Sequence, residues 1–478
     1  MGLITANAHW TDASWADALA TLPAALKDTS VRVLASVLDN TPAALALDDW
    51  ARAQGWVHVP LPLFFTPAQM RHAVARAGVD TLVVLPHVLP VWPEASPQPV
   101  SVMGDDLCVL RLNTPAVAMP TGTQTITFTS GTTGAPKGVC LSESAMDTVA
   151  HALAQAMAPL GIQRHLNALP FAVLLEHVAG VRAARAAGAD LITLPLAELG
   201  WQGASGFDIA RFHQAVLRHE PHSVVLLPQM LRAWCALLAT SAVPPPTSLR
   251  MVAVGGASVG ASLVLAAQAL GLPVFEGYGL SEGASVQCLN LPGASRAGSV
   301  GRPLPHVRLR LASDGELWVQ GSLMLGYLGD EPAMPAEWPT GDLARIDQDG
   351  FVFIEGRKKN VLITSFGRNV SPEWVETVLR ASPVVREVVV LGDGQAQLSA
   401  VVWPMSEAVS PAQIDAAVQA ANQQLPDYAQ LCQWVRAEHA FRPDTGMSTT
   451  NGRPQRSAIL QAHAHALGFS SSLSEVTP

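Results

Sequence analysis

The sequence predicts an α/β protein: a large N-terminal domain of mostly parallel sheets covered by helices, and a small α+β C-terminal domain. Three observations carry that prediction. The chain has 478 residues, too many for one ordinary hydrophobic core, so at least two domains are expected. Through residues 1–356, short Val/Leu/Ile-rich runs alternate with Ala-rich helical stretches, the pattern of parallel strands joined by covering helices. After Gly356 this alternation stops, and a charged linker at 357–360 leads into a compact strand-and-helix run over 361–478.

The strand candidates, in order, are VRVLASVL (31–38), TLVVL (81–85), the run 125–129, LITLPL (191–196), SVVLL (223–227) and MVAVG (251–255). Between the first two, Thr66 reads as the N-cap and Pro67 as the first turn of a helix running to Gly78. The uncharged stretch 251–275 is long enough to span a bilayer. Its Gly-Gly pair, two serines and Pro273 divide it instead into strand, loop, helix and strand, and buried parallel strands read as continuous apolar runs. LARIDQDGFVFIEG (343–356) reads as a strand pair turning at Asp349-Gly350. In the small domain SPEWVETVLRASP and PAQIDAAVQAANQQL read as helices, VREVVVLG and QLSAVVWP as strands. No internal repeat is visible.

Apolar residues make up 49% of the chain and charged residues 14%; the net charge is −9 and the pI near 5.8. With no surplus of positive charge to neutralise phosphates, an electrostatic nucleic-acid partner is not expected. The five cysteines are scattered and lack metal-ligand spacing, which fits reduced thiols in a cytoplasmic protein. The first residues lack the basic-then-apolar order of a signal peptide, and Ala6 stands where a myristoylation signal needs Ser or Thr. No transmembrane segment is expected; peripheral membrane contact stays open.

The segment TFTSGTTGAPKGV (127–139) gathers three glycines, threonines, a serine and one lysine at the end of a strand candidate. Such a loop turns backbone N–H groups and hydroxyls toward phosphate oxygens, with Lys137 as a mobile positive charge. It is not a Walker A loop, whose G-x-x-x-x-G-K-[ST] spacing is missing. A Gly/Ser/Thr-rich surface turn is the plain alternative, and the ordered run ending in Pro-Lys-Gly argues against it.

This segment resembles the phosphate-binding signature of the adenylate-forming superfamily: acyl-CoA synthetases, peptide-synthetase adenylation domains and luciferases. Further stretches resemble the family in the expected order. LPFAVLLEHVAG (169–180) is similar to the substrate-wall motif of long-chain acyl-CoA synthetases. VGGAS (254–258) and EGYGLSEGA (276–284) resemble the adenine-binding strand ends. PTGDLARIDQDGFVFIEGRKKN carries the ribose and hinge region, and TTNGRPQR the C-terminal motif. The resemblance implies ATP, Mg²⁺ and CoA (or the pantetheine of an acyl carrier protein) as ligands, and a small-molecule carboxylic acid as substrate.

It implies roles as well. Thr129, Ser130, Gly131, Thr132, Thr133, Gly134 and Lys137 hold the β- and γ-phosphates. Gly256, Ala257 and Tyr278 flank the adenine, with Gly277, Gly279 and Ser281 in the same nucleotide-binding stretch. Glu282 ligates Mg²⁺. Asp342 accepts from the ribose hydroxyls and Arg357 adds a ribose or phosphate contact. Lys359 is the hinge about which the small domain swings between adenylation and thiol transfer, and the loop 364–369 then faces the pantetheine arm. Alone, Glu282 reads as a solvated loop carboxylate and Tyr278 as core; their spacing inside Y-G-L-S-E changes both readings. The chemistry implied is attack of a carboxylate on the α-phosphate of ATP, without a protein nucleophile.

The sequence departs from the family pattern in three places. Arg453 stands where G-K-x-x-R has its catalytic lysine, and a planar guanidinium fork is not a compact ammonium. The chain holds only four lysines, Lys27, Lys137, Lys358 and Lys359, so it favours arginine throughout. Arg453 is taken as doing the lysine's work. Val173 replaces the wall motif's usual histidine, while Glu176 fits the pattern, and Ser281 stands where threonine is commoner. The leading reading is an acyl-CoA (or acyl-carrier-protein) synthetase acting on a medium- or long-chain fatty acid. Two others stand beside it: an adenylate-forming ligase with an amine or hydroxyl acceptor, giving an amide or lactone, and a degraded homologue that only binds nucleotide or acyl ligand.

Overall fold

The computed structural model describes residues 2–469 except 7, 22, 28–30, 130–135, 204–205, 242, 331–334, 367 and 450–452. Two large sheets dominate. In the nine-stranded sheet, Leu3–Ile4, Asp190–Ile192, Arg164–Leu166, Ser223–Leu226, Met251–Val254 and Val274–Leu280 run parallel side by side. In the eight-stranded sheet, Thr81–Val84, Val33–Val37, Val57–Pro60 and Thr125–Thr129 form the parallel centre. Every residue of Val33–Val37, Thr81–Val84 and Ser223–Leu226 is buried, as strands covered on both faces require. Antiparallel strands flank both centres, so the predicted parallel order describes the middle of each sheet.

A third, four-stranded antiparallel sheet joins Val307–Leu311, Glu316–Gly321, Trp338–Ile346 and Val352–Arg357. The sequence showed only its last hairpin, and that hairpin turns more widely than Asp349-Gly350 alone suggests. The loop spans 347–351, because the Asp347 carboxylate accepts from the Asp349 and Phe351 N–H groups. LITLPL also forms a shorter strand than expected, ending at Ile192, and Pro195 has no N–H with which to continue a ladder.

The apolar run near 251–275 resolves as Met251–Val254, a loop, the helix Ala261–Ala269 and the strand from Val274. Among the described residues no helix is long and apolar enough to cross a membrane. The helix Pro67–Arg76 begins as expected, with Thr66 and Gln69 closing a reciprocal capping box.

Beyond Arg357 come the turn Lys358–Asn360 and a separate core. There the sheet of Val385–Leu391, Leu398–Pro404 and Leu431–Arg436 packs with the helices Pro372–Arg380, Pro411–Asn422 and Arg456–His463. The apolar clusters of the described residues draw either on residues up to 354 or on residues from 362 onward, never on both. Contact between the two bodies is polar and sparse. Ser258 Oγ lies 3.2 Å from Thr377 Oγ1, and Arg232 Nη1 donates to the Arg380 carbonyl at 2.6 Å.

Candidate active site

The sequence-predicted residues converge where the parallel strands of the nine-stranded sheet end. In open α/β sheets that edge is where ligands bind. Gly256, Ala257 and Ser258 follow Met251–Val254 and are exposed, and Tyr278 lies on the neighbouring strand Val274–Leu280. Gly256 has φ +83°, in the left-handed region, and a Cβ there would meet Leu227 Cδ2 at 3.1 Å. At Gly279 the strand bulges against Ser285, whose carbonyl oxygen would lie 1.8 Å from any Cβ. No other residue fits at Gly279 without moving that backbone.

Two carboxylates stand in this cleft, and each has a tyrosine hydroxyl on it. Tyr278 donates to Asp342 Oδ2 at 2.6 Å, and Arg357 Nε pairs with Asp342 Oδ1 at 2.8 Å. Asp342 and Arg357 are directly opposed in the antiparallel pair Trp338–Ile346 and Val352–Arg357. Burial pushes the Asp342 carboxyl upward, while Arg357 and the Tyr278 hydroxyl pull it back down. Burial and the adjacent Asp342 raise the Tyr278 phenol well above its ordinary value, so it stays a donor. Each Asp342 oxygen keeps acceptor capacity, since a carboxylate offers about four lone-pair sites.

The second carboxylate is Glu282, on the turn Ser281–Gly283. Tyr327 donates to its Oε1 at 2.7 Å, and Lys137 Nζ lies 5.3 Å from the centre of the Tyr327 ring. Tyr327 escaped the sequence reading. It arrives because Gly326–Tyr327 pairs with Val139 and Cys140, which follow Lys137 on the strand Lys137–Leu141. That strand pairs with Thr125–Thr129 so that Thr129 and Lys137 face each other, which closes the intervening loop at its two ends. Ser130, Gly131, Thr132, Thr133 and Gly134 lie outside the described residues.

From the other body come Lys359 and Arg453. An Arg453 Nη2 donates to the Gly256 carbonyl at 3.4 Å. Loss of hydration and repulsion from Arg357 push the Arg453 guanidinium down, and attraction to Asp342, Glu282 and Tyr278 opposes this. Lys359 is likewise lowered by loss of hydration, then by Arg357, Arg453 and Lys137. Lys137, Arg357, Lys359 and Arg453 thus repel one another across one cleft. Such a cluster suits a polyanion, with arginine forks and ammonium groups both available to phosphate oxygens.

Glu276 was quoted in the sequence motif without a role. It lies two residues before Tyr278 on the same strand face, is 6% exposed, and its Oε1 accepts from the Val259 N–H at 3.3 Å. Its Oε2 is buried without a partner, at the wall of a cavity of about 200 Å³ that Asn290, Arg296 and Ser299 also line. Burial raises the Glu276 carboxyl to about 7. Val173, at the position of the wall motif's histidine, is partly buried. Glu176 is fully buried, accepting from the Leu169 N–H at 2.9 Å and lying 3.2 Å from His165 Nε2. His177 is occupied in the interior by Asp48 at 3.1 Å and does not stand in for the missing histidine.

Comparison with known proteins agrees with this geometry. The family model described as AMP-binding enzyme matches residues 18–328, and that of the AMP-binding enzyme C-terminal domain matches 359–467. The chain is 33% identical over 239 residues to the long-chain-fatty-acid–CoA ligase FadD15 of Mycobacterium bovis, covering 44% of this chain and 40% of that one. It therefore spans less than half the length of this curated relative. Its fold is similar to the anthranilate CoA ligase AuaEII crystallised with anthranoyl-AMP, at a TM-score of 0.80 and 19% identity, over 98% of this chain and 94% of that one. It is also similar to the amide bond synthetase McbA of Marinactinospora thermotolerans, at a TM-score of 0.77 and 25% identity over 96% of both chains.

Proposed function

The chain belongs to the AMP-binding enzyme family, and on that premise we propose that it activates a carboxylic acid as its acyl-adenylate and passes the acyl group to a thiol, CoA or the pantetheine of a carrier protein. The observation that carries this reading is the convergence of Lys137, Arg357, Lys359 and Arg453 on the cleft holding Glu282 and Asp342. Carboxylate and triphosphate are both anions, so the reaction needs charge neutralisation and alignment more than it needs a nucleophile from the protein.

In this reading Thr129 to Gly134 and Lys137 hold the outer phosphates, and Arg453 lies over the α-phosphate and the incoming carboxylate. Gly256, Ala257, Gly277, Tyr278, Gly279 and Ser281 frame the adenine, whose amino group donates to Glu276. The ribose hydroxyls donate to Asp342, which Tyr278 and Arg357 hold in place. One carboxylate fits Mg²⁺ here, because that ion commonly takes one or two carboxylates and fills its remaining positions with phosphates and water. Glu282, oriented by Tyr327, would be that carboxylate, and the ion would supply positive charge to the phosphates. The proposed units are 1–356 for ATP and acid, 357–360 as the hinge around Lys359, and 361–478 as the mobile domain.

For the acid we propose a medium- or long-chain fatty acid. The wall-motif resemblance at 169–180 and the likeness to a long-chain ligase support it. A second reading, with an amine as acceptor, is favoured by the likeness to an amide bond synthetase. Pyrophosphate release, measured with ATP, Mg²⁺ and acids of graded chain length, followed by product analysis with CoA, tests both. Acyl-CoA from an acid with a chain of about eight carbons or more is the expected result. AMP without acyl-CoA would remove the thiol acceptor, and no pyrophosphate with any acid would remove the reading itself.

A further inference from the structure

Arg453 is useful only if its long side chain is held where the α-phosphate lies, and the loop that bears it is tied down on the far side. The Thr449 N–H donates to the Arg453 carbonyl at 2.8 Å, and the Gln455 N–H to the Met447 carbonyl at 2.8 Å. Three residues after Arg453, Arg456 opens the helix Arg456–His463. Its guanidinium forks onto Glu376, Nη1 to Oε1 and Nη2 to Oε2 at 3.0 Å, and Nη1 also donates to the Val390 carbonyl at 3.0 Å. Nη2 reaches Glu373 Oε1 at 3.3 Å. The same Glu373 oxygen accepts from Asn360 Nδ2 at 2.6 Å. Asn360 closes the turn Lys358–Asn360, which carries Lys359.

We infer that Arg456, bound to Glu376 and Glu373, is a positioning residue that fixes Arg453 relative to Lys359 on the C-terminal side of the cleft. The inference rests on the adenylation reading above. Glu376 is 3% exposed and accepts from the Val390 N–H at 2.8 Å as well, so the fork is anchored in the small domain's core. Glu373 links that anchor to the linker turn. The helix Pro372–Arg380 that bears both glutamates also supplies Thr377 and the Arg380 carbonyl to the N-terminal body. One helix therefore holds the Arg453 loop on one side and meets the nucleotide-bearing body on the other. A lysine at 456 would keep the charge and lose the two-point grip. A misplacement of about 1 Å at a reacting group costs about a hundredfold in rate.

The test is single-turnover acyl-AMP formation with enzyme in excess, using Arg456→Lys in the wild-type and Arg453→Ala backgrounds, with KM for MgATP and melting temperature measured alongside. A group that acts through Arg453 has nothing left to position once Arg453 is gone, so the two changes must be non-additive. The expected result is a loss of about tenfold or more in rate for Arg456→Lys, KM within about twofold, and no further loss in the Arg453→Ala background. Equal proportional losses in both backgrounds, or an unchanged rate in the single variant, would overturn the inference. Should Arg456→Lys fail to fold, Glu373→Gln, which leaves the Glu376 fork intact, carries the same comparison with a smaller loss expected. An Arg453→Ala enzyme as active as wild type would instead sink the adenylation role of Arg453, a distinct outcome.

Discussion

On the N-terminal side of the cleft, Glu282 and Asp342 each carry a tyrosine hydroxyl at 2.7 and 2.6 Å, and Arg357 is already on Asp342 at 2.8 Å. On the C-terminal side, Arg453 meets that body through an exposed hydrogen bond of 3.4 Å, and Ser258 meets Thr377 at 3.2 Å. The first set is short, partly buried and built into strand pairs. Apart from the 2.6 Å donation of Arg232 to the Arg380 carbonyl, the second is long and exposed, the kind of contact worth little in water. The difference separates two tasks. Recognising a nucleotide needs acceptors fixed in advance, whereas a cation required for one half of a reaction must be able to leave. A domain interface this polar and sparse is expected to open.

The largest break in the comparison should come from the rigid side. Lys137 is the cation on the strand that enters from the phosphate loop, and Tyr327 connects it to Glu282. Replacing it removes charge where two anions must approach. Lys137→Ala is expected to cut pyrophosphate release by about a thousandfold, at or beyond the cost of deleting one preorganised donor. A loss of less than about tenfold would mean that the loop does not grip the outer phosphates.

What was legible in the sequence follows the same division. Patterns set by near neighbours in the chain could be read from the residues themselves: Thr129 and Lys137 at the two ends of one loop, and Thr66 with Gln69 at a helix start. Groups brought together by long-range pairing were named only through the family resemblance, as Tyr278 and Asp342 were, or were missed. Tyr327 reaches Glu282 only because a two-residue strand pairs with Val139 and Cys140, and nothing around Gly-Tyr signals that. The antiparallel sheet at 307–357 was hidden for a related reason: its strands alternate exposed and buried residues, a weaker signal than the wholly buried parallel runs. Arg456 stood in plain view inside the C-terminal motif. Its role depends on Glu373 and Glu376, which lie 83 and 80 residues away.

A smaller effect is expected at the detachable side. Arg453 is exposed and bound through one long contact, so a lysine has room to take its place and restores a compact charge. Arg453→Lys is expected to release pyrophosphate at a rate within about threefold of wild type, or faster. Complete loss would show that the fork, rather than the charge, is what the cleft uses. It would also draw this side of the site closer in character to the rigid one.

The smallest effect is the one that most sharply tests how rigid the nucleotide side is. Glu276 is buried beside Tyr278 with Oε2 unpartnered, and its carboxyl is raised to about 7 from an ordinary 4.5. The sign follows from proton counting. Between pH 4.5 and 7 the folded protein holds a proton on Glu276 that the unfolded chain has released. Stability from this group is therefore greatest at low pH and falls as pH rises through that window. Full expression of the shift corresponds to about 3 kcal/mol, an upper bound that amounts to a few degrees in melting temperature for a body of this size. Glu276→Gln keeps the shape and removes the titration. Melting curves of both proteins without nucleotide should therefore diverge as pH rises from 5 to 8, the variant becoming the more stable. If adenine's amino group donates to Oε2, saturating ATP should narrow that gap by stabilising the wild type more. A gap that ATP leaves unchanged would place the adenine away from Glu276, and parallel melting curves would mean the carboxyl is hydrated and free to relax.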